Sequence, residues 1–348
     1  MPYDLAMRNK LLLLTVSGIA AIYLLAQLIF GPPAEEGWTF EGSTMGTTFT
    51  VRAADCPSLT CGSLGPQISN RLTVLTQRLS HYESDSELSQ FNHYTGQNWF
   101  PVSQDLFNVV EYALVISSMS NGAFDITAAP AINAWGFGPE TTSEIPDEDF
   151  VVRAIRLTGF EKVSTRAAPP ALRKTNSEVT LDLSALAKGY AVDQLALLLE
   201  LNGITDYLVE IGGEVRTAGV HPNGHPWRIG IEPPEGGLDI SFIVTPGDEA
   251  VATSGDYRNY YIVDEKRFSH TIDPTTGRPV THNLASVSVI LPAAMQADAF
   301  ATLLMVLGPE AGLKLAEDRL IPALFFVREQ NGVNAFYSSE FAHYQLTN

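Results

Sequence analysis

Apolar and polar residues alternate along some segments of this chain and repeat with helical spacing along others. Residues 38–52 (WTFEGSTMGTTFTVR) alternate on both sides of Gly46, which predicts two strands joined by a tight turn. Residues 64–79 and 103–118 instead have the spacing of amphipathic helices, and Ser103 is a suitable N-cap for the second one. The first third of the chain therefore mixes strands and helices.

The second half continues this mixture. Residues 180–201 run from a short apolar strand into a helix rich in Ala and Leu, and a further helix over 297–307 is ended by Gly308-Pro309. Short strands are predicted at 207–211, 227–231, 240–244, 260–263 and 285–291. Because strands and helices are interspersed without regular βαβ alternation, the pattern predicts the α+β class.

One segment near the N-terminus stands apart from this pattern. Residues 11–30 contain no charge, and about 20 apolar residues are enough to cross a bilayer as a helix. Two basic residues precede the segment and two glutamates follow it, which predicts a cytoplasmic N-terminus. A cleaved signal peptide is the alternative, but the run is long and no A-x-A site follows it. We expect an uncleaved anchor and linker over 1–36 and one domain over 37–348.

Composition narrows the classes of partner and compartment. The 21 basic and 39 acidic residues give a formal charge of −18, which argues against a nucleic-acid partner. The only cysteines are Cys56 and Cys61, whose spacing is not C-x-x-C and which have no neighbouring histidine. Zinc binding and thioredoxin-like chemistry are therefore poor fits, and outside the cytoplasm we expect the pair to be a structural disulfide.

The densest group of reactive side chains lies at 268–280 (FSHTIDPTTGRPV). Asp273-Pro274 followed by Gly277 predicts a turn, since proline pre-sets φ and glycine accepts a positive φ. Such a turn would fix His270 near its exit. Taken alone, the segment is equally compatible with a polar hairpin whose histidine is merely solvated.

A second candidate is 181–193 (LDLSALAKGYAVD). A strand ending at Asp182 and a helix beginning near residue 187 would bring free backbone N–H groups and the positive helix end to one point, which suits a phosphate. Lys188 could add a charge to the same anion. The alternative is a buried corner with Asp182 as its cap.

Three further segments carry weaker signals. Gly212-Gly213 in 209–219 (VEIGGEVRTAG) would allow close approach of a ligand or form an ordinary turn. The donor-rich segment 251–261 (VATSGDYRNYY) offers Arg258 to a phosphate or carboxylate. The aromatic residues of 122–138 (GAFDITAAPAINAWGFG) could pack on a flat ligand ring or simply fill the core.

A candidate metal site lies on the helix at 297–307 (ADAFATLLMVL). Asp298 and Thr302 are four residues apart and therefore share one helical face. A carboxylate and a hydroxyl are hard oxygen ligands, suited to Mg²⁺ rather than to zinc. The pair could instead be an N-terminal cap.

Taken in this order, and together with 42–47 (GSTMGT) and 80–92 (SHYESDSELSQFN), these segments resemble the FAD:protein FMN transferase (ApbE) family from residue 38 to the C-terminus. The resemblance implies a two-lobed fold of mixed and antiparallel sheets with flanking helices. It also implies an Mg²⁺-dependent enzyme that transfers the FMN moiety of FAD to a threonine hydroxyl of a target protein and releases AMP. The expected target is a flavoprotein subunit of a membrane redox complex, and the expected location is the periplasmic face of a bacterial inner membrane.

The resemblance also implies roles for particular residues. Met45 and Tyr82 should contact the flavin or its chain, and His270 should be the general base. The remaining FAD contacts are expected at Ala123, Phe124, Asp125, Asp182, Lys188 and Ile272. The metal ligands are expected to be Asp298, Thr302 and the main-chain oxygen of Ala185.

The chain departs from the family pattern in two places. Many relatives are lipoproteins, whereas this chain is expected to have a helical anchor. Some relatives have an aspartate where Ala301 stands, which leaves the number of metal ions open. Tyr82 favours transfer over hydrolysis, since relatives that only hydrolyse FAD tend to differ there. An FAD pyrophosphatase and a non-catalytic flavin carrier remain the alternatives.

Overall fold

A computed structural model of the chain describes residues 37–54, 56–139, 141–234, 242–257, 259–330 and 332–346. The predicted anchor at 11–30 and Arg258 lie outside these residues. The division into 1–36 and 37–348 thus stays a prediction.

The strands of the described residues form one large sheet and several small ones. In chain order they are β1 (Trp38–Thr44), β2 (Thr47–Ala53), β3 (Phe100–Pro101), β4 (Val163–Arg166), β5 (Ala171–Lys174), β6 (Tyr207–Ile211), β7 (Glu214–Ala218), β8 (Ile229–Ile231), β9 (Phe242–Val244), β10 (Ala250–Gly255), β11 (Tyr260–Val263), β12 (Lys266–Ser269), β13 (Ile272–Asp273), β14 (Arg278–Pro279), β15 (Leu284–Leu291), β16 (Ala323–Glu329) and β17 (Gly332–Tyr337).

Helices lie between these strands along the chain. They are α1 (Ser58–Leu79), α2 (Glu87–His93), α3 (Gln104–Met119), α4 (Ala129–Ala134), α5 (Glu148–Leu157), α6 (Ala187–Leu201) and α7 (Ala294–Asp318), with 3-10 turns at Ile126–Ala128, Phe160–Lys162 and Ser339–Tyr344.

The large sheet has the order β1-β2-β6-β7-β10-β15-β16-β17, and each neighbouring pair is antiparallel. Helices α1, α3 and α6 share a core with β2 and β6, while α7 packs on β10, β15 and β16. Alternate residues of β15 face a further core that includes β8 and β9. Both faces of β15 are buried, and its sequence LASVSVIL is non-polar except for two buried serines.

Most of the predicted elements are confirmed. The hairpin around Gly46 forms β1 and β2, and Ser103 caps α3 by accepting a hydrogen bond from the Leu106 N–H. The α+β class is confirmed by a mixture of helices and antiparallel sheets. Cys56 and Cys61 form a disulfide just before and within the first turns of α1, with their Cα atoms 5.9 Å apart.

One prediction about elements is wrong. Residues 180–182 form no strand, because their backbone bonds to a side chain and to a turn: Leu181 exchanges hydrogen bonds with the Asn92 amide, and the Asp182 N–H donates to the Ile126 carbonyl. The predicted end of the last helix at Gly308-Pro309 is confirmed. Gly308 has a non-helical backbone with φ 76°, and a second helical segment of α7 continues from there to Asp318.

Within the described part of the chain, α7 is the one helix long and apolar enough to cross a membrane. It packs instead against the large sheet, with side chains such as Leu303 and Leu304 fully buried in two of the cores. We therefore read α7 as a core helix.

Candidate active site

A cavity of about 510 Å³ opens between the start of α6, the β6–β7 turn, the segment after β12, and α7. Predicted site residues from four separate parts of the chain line it. They are Ala123, Phe124, Asp125, Asp182, Ala185, Lys188, His270, Ile272, Asp298 and Thr302.

Two predicted flavin contacts lie elsewhere. Met45, in the β1–β2 turn, lines a second cavity of about 450 Å³ together with Glu83 and Asp85. Tyr82 is 60 % exposed and packs on the ring of His81 with centroids 4.1 Å apart. His81 Nδ1 in turn lies 3.6 Å from Oδ1 of Asp182, which lines the main cavity. Tyr82 therefore lies near the Asp182 side of that cavity but is not one of its lining residues.

His270 directly follows the β11–β12 hairpin and lines the main cavity. The Asn259 carbonyl accepts from the His270 backbone N–H at 3.1 Å and lies 3.0 Å from its Nδ1. Because a carbonyl can only accept, this contact places the ring proton on Nδ1 and leaves Nε2 as an acceptor. Burial lowers the pKa of His270, opposed by the Asn259 hydrogen bond and the charge of Asp256, so the ring is neutral at neutral pH.

Two aromatic residues of 122–138 pack against the β11–β12 hairpin. The Trp135 ring is buried, stacks on Phe268 at 5.4 Å and donates from its Nε1 to the Gly277 carbonyl. Phe137 stacks on Tyr261 at 5.3 Å and lies edge-on to His270 at 6.3 Å. For Trp135 and Phe137 the core interpretation is the correct one, and the core they build positions His270.

The turn predicted after His270 is confirmed. Asp273 Oδ1 accepts from the backbone N–H of Thr275, and the Asp273 carbonyl accepts from the Gly277 N–H at 2.8 Å. Gly277 has φ 64°, a left-handed conformation that glycine adopts without steric cost. The β13–β14 pair that flanks this turn also places Ile272 against the cavity.

The start of α6 differs from the expected phosphate site. The Ala187 N–H donates to the Leu183 carbonyl, and the Gly189 N–H donates to Asp298 Oδ2 at 3.0 Å. These two N–H groups are therefore engaged within the protein, and Lys188 is the cationic side chain at this end of the cavity. A Cβ on Gly189 would lie 2.3 Å from the Ala294 carbonyl oxygen, so only glycine allows α6 and α7 to approach so closely.

Asp298 is not a cap of its own helix. Asp193 of α6 takes that role, since its carboxylate accepts from the N–H groups of Ala294 and Met295. Asp298 instead lies one turn inside α7, 5 % exposed, and burial raises its pKa. The alternative of a simple N-terminal cap is therefore wrong for this residue.

The oxygen donors expected for Mg²⁺ fit that ion chemically. Asp298 and Thr302 lie one turn apart on α7 and line the cavity together with Ala185. Among the described residues no group of three or more His, Cys, Asp or Glu side chains could hold a metal. The expected set contains a single carboxylate, so hydroxyl, main-chain and substrate oxygens would complete the coordination of a hard cation.

Glu214 is a residue of the cavity that the sequence analysis missed. It begins β7 directly after Gly212 and Gly213, is 2 % exposed, and lies with Oε1 2.9 Å from Lys188 Nζ. Burial raises the pKa of Glu214, opposed by Lys188 and reinforced by Asp298. Its Oε2 is buried and has no hydrogen-bond partner among the described residues. In the sequence, Glu214 could have been found as the acidic residue that follows two glycines at the end of an apolar strand.

Comparison with known proteins identifies the family. Residues 45–325 match the model of the ApbE family. The chain is similar to the FAD:protein FMN transferases of Vibrio cholerae, with 41% identity over 96% of this chain and 98% of the relative, and of Escherichia coli K12, with 36% identity over 90% and 91%.

Solved structures agree with this match. The flavin transferase ApbE of Vibrio cholerae superposes with a TM-score of 0.80 at 38% identity, covering 89% of this chain and 99% of that one. The apo flavinyl transferase ApbE of Pseudomonas stutzeri gives a TM-score of 0.81 at 39% identity, covering 88% and 96%. The chain belongs to the ApbE family.

Proposed function

We propose that this protein is an FAD:protein FMN transferase that moves the FMN moiety of FAD to a threonine hydroxyl of an acceptor protein and releases AMP. One observation carries the proposal: a single cavity contains an acceptor nitrogen of His270, the cation of Lys188, and the oxygen donors Asp298 and Thr302. The FAD:protein FMN transferases to which the chain is similar support the same activity.

The proposed reaction replaces a phosphoanhydride bond of FAD with a phosphoester bond to threonine. The threonine oxygen forms a bond to the FMN phosphorus, the bond from that phosphorus to the bridging oxygen breaks, and AMP leaves with that oxygen. His270 Nε2 accepts the threonine proton, because Nδ1 is already fixed by Asn259. Phosphoryl transfer requires little more than alignment and charge neutralisation, and Lys188 would supply a positive charge beside the pyrophosphate.

Glu214 would orient that lysine. Its carboxylate is buried and contacts Lys188 Nζ at 2.9 Å, so the ammonium group is fixed at the cavity wall. A fixed cation loses no side-chain entropy when the substrate binds, whereas a mobile surface lysine would.

Mg²⁺ would be held by Asp298, Thr302 and the Ala185 carbonyl. A bound divalent cation neutralises phosphate charge and polarises the phosphoryl oxygens. Asp298 also accepts from Gly189 at the start of α6, which fixes its carboxylate for such a role.

We further propose that residues 1–36 anchor the enzyme in a bacterial inner membrane with the domain in the periplasm. The uncharged segment 11–30 and the basic residues before it support this orientation. The Cys56–Cys61 disulfide is consistent with an oxidising compartment. The acceptor would then be a flavoprotein subunit of a membrane redox complex.

A labelling assay tests the activity. The full chain is incubated with FAD, Mg²⁺ and a candidate acceptor, and in-gel flavin fluorescence of the denatured acceptor is measured. Transfer predicts a fluorescent acceptor and stoichiometric AMP. Free FMN and AMP without labelling would indicate a pyrophosphatase, and intact FAD would indicate a carrier.

Variants test the assigned roles in the same assay. His270→Ala should slow labelling by about 10²–10⁴-fold, the usual contribution of a general base. The exposed His225→Ala is its matched control and should label at the normal rate. Normal labelling by His270→Ala would exclude His270 as the base.

A further inference from the structure

A buried ion cluster outside the cavity connects the His270 hairpin to the large sheet. Asp256 is 6 % exposed, and its carboxylate forms two hydrogen bonds with Arg328, at 2.9 Å and 2.5 Å. Arg267 donates to the Asp256 carbonyl at 2.7 Å and lies 3.5 Å from its Oδ1. One aspartate therefore holds two arginines from different elements.

These contacts join three parts of the fold. Arg328 belongs to β16, and the Asp256 N–H donates to the Ala285 carbonyl in β15, so Asp256 is fixed to these two strands of the large sheet. Arg267 belongs to β12 of the hairpin, where its guanidinium stacks on the ring of Tyr260 at 3.9 Å. The hairpin is thus fastened to the sheet through Asp256.

The same short stretch of chain orients the imidazole. Asn259 lies three residues after Asp256, and its carbonyl contacts both the backbone N–H and the Nδ1 of His270. A displacement of this stretch would move the carbonyl away from Nδ1 and free the ring to rotate or to change its tautomer. Asp256 does not line the cavity, so any effect on the reaction must act through neighbouring residues, and the Asn259 contact offers a route to His270.

We propose that Asp256 is a positioning residue for His270: its buried pairing with Arg328 and Arg267 holds the Asn259 carbonyl against Nδ1 and keeps Nε2 directed to the acceptor hydroxyl. This inference rests on the proposed function, because it takes His270 as the base. No bond forms or breaks at Asp256, and its role is to preserve the geometry of a neighbour.

Kinetics of Asp256→Asn provide the first test. The variant should lower kcat by about 10-fold to 100-fold, the range expected when a reacting group is misplaced, with the KM for FAD changed less than twofold. Asp264→Asn is the matched control, since Asp264 is an exposed aspartate at the tip of the same hairpin, and its kcat should be unchanged. An unchanged kcat in Asp256→Asn would overturn the proposal.

A double-mutant cycle separates positioning from general destabilisation. In a His270→Ala background, Asp256→Asn should cause no further loss of rate, because the group that it positions is absent. Equal losses with and without His270 would show that Asp256 acts on the fold rather than on the base. If Asp256→Asn does not fold, Arg267→Gln is the second variant to test. It leaves the Asp256–Arg328 pair intact and should show the same kcat defect.

Nitrogen-15 NMR of the histidine rings provides a readout independent of transfer. Without FAD or acceptor, His270 of the wild type should show a single tautomer protonated at Nδ1, and Asp256→Asn should show mixed tautomers. A wild-type tautomer in both Asp256→Asn and Arg267→Gln would refute positioning. If the tautomer changes but His270→Ala still labels the acceptor normally, the positioning role stands and the proposed base is wrong.

Discussion

At the scale of single residues, the surroundings of His270 determine both the tautomer and the charge of its ring. The Asn259 carbonyl selects the tautomer, while burial favours the uncharged ring. Asp256 and Asp182 raise the pKa of His270 and Lys188 lowers it, but burial is the largest influence and the net change is downward. A base must be neutral to accept a proton, so this direction suits the proposed role.

The pH dependence of transfer follows from that direction. Protonation of Nε2 would block the base, so the rate should fall as the pH decreases through the pKa of His270. Because that pKa lies below the ordinary value of 6.5, the acidic limb of the kcat/KM profile should have its midpoint below pH 6.5. A profile measured with FAD and a fixed acceptor checks this, and a midpoint above 6.5 would contradict it.

At the scale of elements, one buried carboxylate joins three helices. Asp105 near the start of α3 accepts from Arg71 and Arg78 of α1 and from the Tyr190 hydroxyl of α6. Burial alone would raise the pKa of Asp105, but these hydrogen bonds outweigh it and lower the pKa to about 2. The junction also fixes α6, which carries Lys188 into the cavity.

Asp105→Asn should destabilise the protein by about 3–5 kcal/mol, since it leaves a partly buried arginine cluster uncompensated. Urea unfolding measures this loss, with the exposed Glu111→Gln of the same helix as the control. The pKa of Asp105 is lower in the folded state than its ordinary 3.8, so its contribution is complete above pH 3.8 and is lost as the pH falls to about 2. Equal acid sensitivity of wild type and variant in that window would contradict the assignment.

At the scale of the whole molecule, the cavity lies where separate packing units meet. Ala185 precedes α6, which packs in the core with α1 and α3, whereas Asp298 and Thr302 belong to α7, which also packs on β10 and β15. A cation bound to all three residues would link these units. Binding to the folded state alone stabilises it by mass action.

Mg²⁺ should therefore raise the melting temperature of the full chain. At a concentration 100 times the Kd the gain in unfolding free energy is about 2.7 kcal/mol. Differential scanning fluorimetry with Mg²⁺ and with EDTA measures the shift, and Asp298→Ala should abolish it. Asp318→Ala, at the exposed end of α7, should retain it. An undiminished shift in Asp298→Ala would exclude Asp298 as a ligand.

Local patterns made much of this predictable from sequence. The hairpin at Gly46, the cap at Ser103 and the turn at Gly277 depend on interactions within a few residues, so their residue types specify them directly. The strand expected before Asp182 was wrong because an extended backbone can bond to a distant side chain, here Asn92, instead of to a sheet. An extended segment has the same pattern of apolar residues whether its backbone bonds to a side chain or to a neighbouring strand.

By itself the sequence determined the α+β class, most of the elements and the family resemblance, because these follow from periodicity and from motifs in a fixed order. Only the tertiary structure decided which side chains share the cavity, that Glu214 holds Lys188, and that Asn259 and Asp256 stand behind His270. Those relations join residues that are neighbours only after the sheet and helices have packed, and such contacts leave no periodic signal in a single chain.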